Sequence, residues 1–426
     1  MTSTTLGPRP SPARERLRDR LLHPDRTIRR LSGITLVNCL GNGLSMALGV
    51  LYFTRVLGFG PARVGLALTL AGICGVLAGI PAGRAADRWG VRPVLIGLVT
   101  VEAVGMVGYA VVRDYALFLP LACVVATADR GSAAVRSALY AEVLPPERRV
   151  VGRAYLRVVT NVGIGLGTAA AALVLHVDTP GAYVTAILAD AASFAVVAVL
   201  YALAVPPVER AAGAGPEEAG PGGRNPALRD RTFLAVTLLN AVLCLQFPLL
   251  EVGVPLWIVD HTEAPRVLVA GSLIVNTLMV VLLQVRAARG TGTVAGAGRV
   301  FRYGGLLVGL CWVVLGLAHG LPGWAAALLV VGAVLLQGLG EVTTQAAAWA
   351  LSYELAQEGR HGVYQGVFNS GQAAALMLGP VLVTTLVLPL GLAGWVMTGV
   401  VFAVAALAMP VVVRRATAGV TGATVT

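Results

Sequence analysis

The sequence predicts an all-α integral membrane protein with twelve transmembrane helices arranged as two six-helix pseudo-repeats. Three observations carry this. Only 12% of the 426 residues are charged while 57% are hydrophobic, and the mean hydropathy is +0.79. A soluble globule carries nearer a quarter charged residues. Apolar runs of about 20 residues, the length that crosses a hydrocarbon core as helix, recur along nearly the whole chain. Finally, local features of the first six runs reappear in the second six.

The first run, 32–54, follows a polar segment, 1–31, with neither the n-region length nor the small-residue cleavage site of a signal peptide, so it reads as a retained span. It carries the polar candidates Asn38 and Asn42. Runs 62–83 and 93–112 flank the tight charged stretch "RAADRWG", and Glu102 lies near the middle of the second. Run 115–138 holds the adjacent Asp129 and Arg130. Run 154–176 contains "NVGIGLG", with Asn161, Gly163, Gly165 and Gly167, and 181–205 holds Asp190 within "ADAASF".

The segment 206–231 mixes Pro, Gly and both charge signs, a composition that disfavours a packed element, and it divides six runs from six. Run 232–259 places Gln246, Glu251 and Trp257 around Pro248 and Pro255, which should kink it. Runs 266–285 and 300–319 follow, the former with Asn276. Run 323–350 carries Gln337 and Glu341, 362–389 carries Gly366, Gln372, Gly379 and Pro380, and 392–413 precedes a short tail, 414–426. The expected domains are therefore 1–31, 32–205, 206–231, 232–413 and 414–426.

Charge sets the expected orientation. All 32 basic residues are arginine. Four of them (Arg55, Arg63, Arg113 and Arg266) fall in loops on one side and Arg130 lies inside a run. The rest lie at the side that carries both termini, and cationic side chains stay on the cytoplasmic side of short loops. Both termini are expected in the cytoplasm of a multi-pass protein of the cell (plasma or inner) membrane. The formal charge of +11 thus reflects topology, and no nucleic-acid partner is expected. The Arg- and Leu-rich segment Arg14 to Gly33 reads either as an amphipathic helix on the inner leaflet or as a solvated basic tail. Five unpaired cysteines inside runs and scattered histidines suggest no disulfide, metal or cofactor.

Internal repetition is visible in two places. "RAADRWG" (Arg84 to Gly90) reappears as "RAARGTG" (Arg286 to Gly292), each after the second run of its half. "ALYAEVLPPERR" (Ala138 to Arg149) reappears as "ALSYELAQEGRH" (Ala350 to His361). Two pairings in the same order argue for duplicated parallel halves.

Gly83, Asp87, Arg88, Gly90 and Arg92 match the G-x-x-x-D-R-x-G-x-R loop of the major facilitator superfamily, which the chain resembles over essentially its full length. Glycine allows close approach and a sharp turn, and the arginines suit an anionic inner surface. An anchor does not need Asp87. The resemblance implies that this acid meets the N-terminal end of a helix in the other half, here the run beginning near Gly362, whose free N–H groups carry partial positive charge. Gly366, Gln372, Gly379 and Pro380 are similar to the drug-exporter branches of the superfamily. The fifth run lacks the Gly-Pro of the usual antiporter motif, so Asn161, Gly163 and Gly167 stand either as a hinge or as close helix packing. Arg130 before Gly131 resembles an intramembrane arginine associated with proton coupling, with Arg136 as the alternative.

Ionisable groups inside a membrane mark function by default, because burying them unpaired costs several kcal/mol. The proton-coupling candidates are Glu251 first, for its place between two prolines, then Glu341 and Glu102, with Asp129 and Arg130. Asp190 reads as structural. Asn38, Asn42, Gln246, Trp257, Asn276 and Gln337 are the cavity candidates.

The resulting expectation is a monomeric secondary transporter that moves a small organic molecule by alternating access, with proton-coupled export of a hydrophobic or amphipathic compound as the direction. Alternatives are a proton-coupled importer of a small metabolite, a non-transporting receptor or a membrane-embedded transferase. No enzymatic activity is expected. A nucleotide-driven pump of the phosphate-loop type needs a lysine, and the chain has none.

Overall fold

The computed structural model describes residues 25–205 and 225–423. The linker between 206 and 224 and the basic segment before residue 25 lie outside the described residues. Among the described residues, twelve helices are long and apolar enough to cross a membrane. They are α1 (Arg26–Val56), α2 (Arg63–Trp89), α3 (Val91–Val111), α4 (Tyr115–Val143), α5 (Pro146–Val177) and α6 (Pro180–Ala204), then α7 (Arg231–His261), α8 (Val267–Ala287), α9 (Val294–Gly316), α10 (Gly323–Glu354), α11 (His361–Val387) and α12 (Leu392–Arg414).

Several helices outrun the apolar stretches that announce them. Helix α1 starts at Arg26, capped by the Asp25 side chain, which accepts from Thr27 N–H. Residues 26–33 are thus its first turns and no separate surface helix. Helix α5 starts at Pro146, so Arg148, Arg149 and Arg153, which precede the apolar run, belong to the same helix as Arg157. Hydropathy marks only the hydrocarbon part of a helix, and polar ends continue beyond it.

The duplication is structural. In the first half α1 packs on α5 and α6, α2 on α4, and α3 on α4 and α6. In the second half the equivalent pairs, α7 with α11 and α12, α8 with α10, and α9 with α10 and α12, are all present. Each half has its own apolar core. Between the halves, α11 lies against α2 and α4, and the symmetry-related α5 lies against α8 and α10.

Helix α7 is interrupted, as its prolines require. It turns at Leu245, and a π-helical turn, Leu249–Gly253, follows Pro248 and contains Glu251. A second π-helical turn, Val383–Val387, ends α11 after Pro380 and packs against the first. Pro248 also explains Gly379: a Cβ at Gly379 would overlap the Pro248 ring.

Candidate functional site

Two features join the halves on the terminal face, the end of the molecule where residues 25, 205, 225 and 414 lie. The first is built by α2 and α11. Gly79 and Gly83, one turn apart on α2, face Gly366 and Gly362 on α11 so closely that a Cβ at Gly83, Gly362 or Gly366 would overlap a carbonyl oxygen of the opposite helix. That proximity brings Asp87 to the start of α11. Its Oδ1 accepts from Gly362 N–H at 2.7 Å and its Oδ2 from Val363 N–H at 2.8 Å. The residue at the N-cap of α11, Arg360, makes no side-chain cap of its own. Asp87 therefore caps α11 from the other half of the protein.

The rest of the charged loop is accounted for locally. Gly90 has φ +96°, a conformation that glycine adopts without strain, and it turns α2 into α3. The Arg92 guanidinium donates to the Tyr201 and Ala202 carbonyls at the C-terminal end of α6, where a cation is favoured. Arg88 is exposed over the Trp89 ring.

The second feature joins α5 to α7, α8 and α10. Glu341 on α10 is buried, and its Oε2 accepts from Asn276 Nδ2 at 2.8 Å and Gln337 Nε2 at 3.1 Å. Asn276 Nδ2 also reaches Gln337 Oε1 at 2.8 Å, and Gln337 Nε2 reaches Gln246 Oε1 at 3.3 Å. From the opposite half, the Arg157 guanidinium lies 3.9 Å from Glu341 Oε1 and 5.8 Å from the Phe247 ring centre. One turn nearer the terminal face, Arg153 donates to Tyr353 Oη at 2.7 Å and stacks over Trp349, 5.0 Å from its centre.

The network thus gathers Gln246, Asn276, Gln337 and Glu341 from three helices. Glu251 is exposed on the π-helical turn of α7, within the electrostatic reach of Arg157 and Glu341, and no hydrogen bond or ion pair holds it among the described residues. Trp257 is not a cavity residue. Its indole N–H donates to the Leu315 carbonyl at 3.0 Å and its ring packs edge-on to Trp395, so it is sealed in the core of the second half. Asn38, Asn42 and Asn161 make no hydrogen bond to the network among the described residues, and Asn38 Oδ1 is buried without a partner.

The remaining acids sit elsewhere. Glu102 is buried inside the first half beside Ser132, with Asp129, Arg136 and Asp190 in its electrostatic neighbourhood, and its Oε1 has no hydrogen-bond partner. Asp190 is held by Ser45 and Ser193, and a Cβ on Gly41 would strike it, so α1 and α6 close around this acid. Arg130 does not join this group. It pairs with its neighbour Asp129 at 3.4 Å and turns toward α2 and α11, lining a cavity of about 100 Å³ with Gly75, Asn369 and Ser370. The arginine of α4 that stands near a buried acid, Glu102, and the buried Tyr140 and Tyr201 is Arg136. Gly163 and Gly167 face α1, where a Cβ would crowd Cys39 and Leu40, and so serve close packing of α5 on α1.

The sequence of the chain matches the family model of the Major Facilitator Superfamily over residues 31–380. The chain belongs to the Major Facilitator Superfamily. Its fold is accordingly similar to that of solved transporters of low sequence identity. The human organic anion transporter MFSD10 (TETRAN) is 16% identical, with a TM-score of 0.69, covering 91% of this chain and 100% of that one. A bacterial homologue of the iron transporter ferroportin in an outward-facing state is 15% identical, with a TM-score of 0.72, covering 92% and 99%. The transporter FucP in the outward conformation is 12% identical, with a TM-score of 0.65, covering 91% and 97%. No curated protein matches the chain by sequence.

For this superfamily member, sequence reasoning missed Arg153, Arg157 and the glycine seam. The two arginines stand four residues apart in "RAYLR", which puts both on one helical face, and counting them as loop charges hid that. Gly75, Gly79 and Gly83 follow the small-xxx-small spacing of close membrane helix contacts.

Proposed function

We propose that this protein is a proton-coupled secondary transporter that exports a small organic molecule by alternating access, with the terminal face in the cytoplasm of the cell membrane. One observation carries the reading: the Arg157 and Glu341 ion pair spans the two halves, and one partner is a buried carboxylate already held by amides. A proton arriving on Glu341 removes the attraction to Arg157 and leaves the amide bonds to an uncharged acid. Together with the Asp87 cap and the Arg153 stack, that pair closes the terminal face. Protonation from the outside then weakens the closure and lets the site open inward, where the proton leaves. Export fits because the proton enters from the side opposite the closed terminal face.

Glu341 takes the coupling role ahead of Glu251, because only Glu341 is tied to a basic group of the opposite half. Glu251, exposed near the pair and without a hydrogen bond or ion pair among the described residues, is a substrate contact. The supporting experiment is transport in proteoliposomes with an imposed pH gradient, over a panel of organic compounds. Wild-type protein accumulates at least one compound against its gradient, and Glu341→Gln exchanges that compound but no longer concentrates it. Concentrative transport surviving in Glu341→Gln counts against the reading.

A further inference from the structure

We infer that the site between the halves takes an organic cation carrying a guanidinium or amidinium group, and that Arg157 occupies that group's place in the closed arrangement. This rests on the proposed reading of Glu341 as the coupling carboxylate, with Glu251 beside it as a substrate contact. The argument is that the site already displays what it binds. A planar guanidinium lies beside the one oxygen of Glu341 that the amides leave free, because Asn276 and Gln337 both donate to Oε2 and none donates to Oε1. The same guanidinium lies over the Phe247 ring, and an aromatic face with a carboxylate at its edge is a cation site.

The hold on Arg157 is loose. At 3.9 Å the ion pair is longer than a direct N–H···O bond, the ring distance is near the outer limit of a cation–π contact, and the Arg157 side chain keeps 34% of its surface exposed. A diffusing cation of the same shape can therefore replace it. Charge favours the exchange too. Glu251 as well as Glu341 lies within the electrostatic reach of Arg157, and Glu251 has no hydrogen bond or ion pair of its own among the described residues. An anion entering the site would have to part Arg157 from Glu341 and then lie against both carboxylates. A second observation points to a ligand. Gln246 is fully buried, its Oε1 is used by Gln337, and its Nε2 has no partner, leaving a donor for an acceptor atom on the same molecule.

The substitution mechanism also explains coupling. Cation and proton compete for Glu341, so each excludes the other. A bound cation leaves Arg157 unpaired, which loosens the same contact that a proton loosens.

Benzamidine, benzamide and benzoate have one shape and charges of plus one, zero and minus one, and their binding to the purified full-length protein can be followed by saturation-transfer NMR. Benzamidine binds saturably and benzoate does not. Arg157→Ala, which removes the internal competitor, tightens benzamidine by about 3- to 10-fold, whereas Glu341→Gln and Glu251→Gln each weaken it by about 10-fold or more. Saturable benzoate binding, loss of benzamidine binding in Arg157→Ala, or no saturable benzamidine binding in either protein overturns the assignment. The two readings fail separately. A pH response that depends on Glu341 in a protein preferring benzoate keeps the transport reading and removes this one. Benzamidine selectivity with a pH response indifferent to Glu341 does the reverse.

Discussion

Replacing Asp87 with asparagine tests the gate at one atom. In the wild type each carboxylate oxygen accepts one N–H of α11, at 2.7 and 2.8 Å, and a full negative charge faces a helix N-terminus that has no side-chain cap of its own. Asparagine keeps the shape and one acceptor, loses the charge, and turns an NH₂ toward the other N–H donor. A charge at a helix N-terminus is worth about 0.3 to 2 kcal/mol, and a lost cap about 0.5 to 2 kcal/mol. A net loss of about 1 to 2 kcal/mol from the terminal-closed state moves its ratio to the open state by about 5- to 30-fold. The assay is pulsed electron–electron resonance between spin labels at Glu147→Cys on α5 and Gln357→Cys before α11, both exposed on the terminal face and in opposite halves. The native cysteines are replaced beforehand. Asp87→Asn raises the long-distance population by that factor, while expression and membrane insertion stay near wild type. An unchanged distance distribution would mean that the cap does not contribute to closure, and the gating argument would be wrong. Arg289→Asp should not restore the wild-type distribution, because the turn at 288–290 packs on α5.

Three further outcomes follow from the contacts. Gly366→Ala places a methyl against the Gly79 carbonyl and should disfavour the closed seam by about 1 to 3 kcal/mol, whereas Gly97→Ala, with open space around it, should leave the distances alone; equal effects of the two would refute the seam. Arg153→Lys keeps the charge but loses the planar stack over Trp349 and the fixed bond to Tyr353, so it should open the terminal face by about 0.5 to 1 kcal/mol, detectable with the same labels, and a wild-type distribution would remove the stack from the account. At Asp25, burial raises the carboxyl pKa, but N–H bonds from Thr27 and Ile28 and the nearby Arg148 outweigh it and hold it below 3.8. A depressed folded-state value means that the contribution is full above pH 3.8 and fades as pH falls through the folded value. Asp25→Ala should therefore lower the unfolding temperature at pH 6, by the equivalent of about 0.5 to 2 kcal/mol, and the difference should shrink below pH 3.8; a constant difference across that range would contradict it.

Much of this fold was legible because a membrane enforces a coarse pattern. Backbone groups in hydrocarbon must pair internally, so each apolar run of sufficient length becomes a helix. The twelve runs announce the twelve helices, and the charged loop after the second marks the family. The place of Asp87 was legible through the resemblance of its loop to that of the superfamily, which implies that this acid meets a helix N-terminus of the other half. The site was harder to read. Gln246, Asn276 and Gln337 could be named as polar groups at depth, but their convergence on Glu341 depends on how α7, α8 and α10 rotate about their axes, which the sequence specifies only weakly. Trp257 shows the same limit: a tryptophan in a polar-looking run reads as a ligand surface until its N–H is found on Leu315. Arg157 was hidden by topology counting, because the rule that sorts arginines by side does not ask which face of a helix an arginine lies on.

The central claim is that protonation of Glu341 releases Arg157 and opens the terminal face. Two unit charges about 4 Å apart attract by about 1 kcal/mol in bulk water and about 4 kcal/mol at the effective dielectric of a protein surface, and this pair lies at 3.9 Å. The direct test is the pulsed resonance distance between Glu147→Cys and Gln357→Cys, recorded at one pH in otherwise wild-type protein and in Glu341→Gln, whose amide is the uncharged mimic of the protonated acid. The long-distance population should be larger in Glu341→Gln than in the wild-type background. An equal or smaller long-distance population in Glu341→Gln would mean that the charge on Glu341 does not hold the terminal face closed, and would contradict the account.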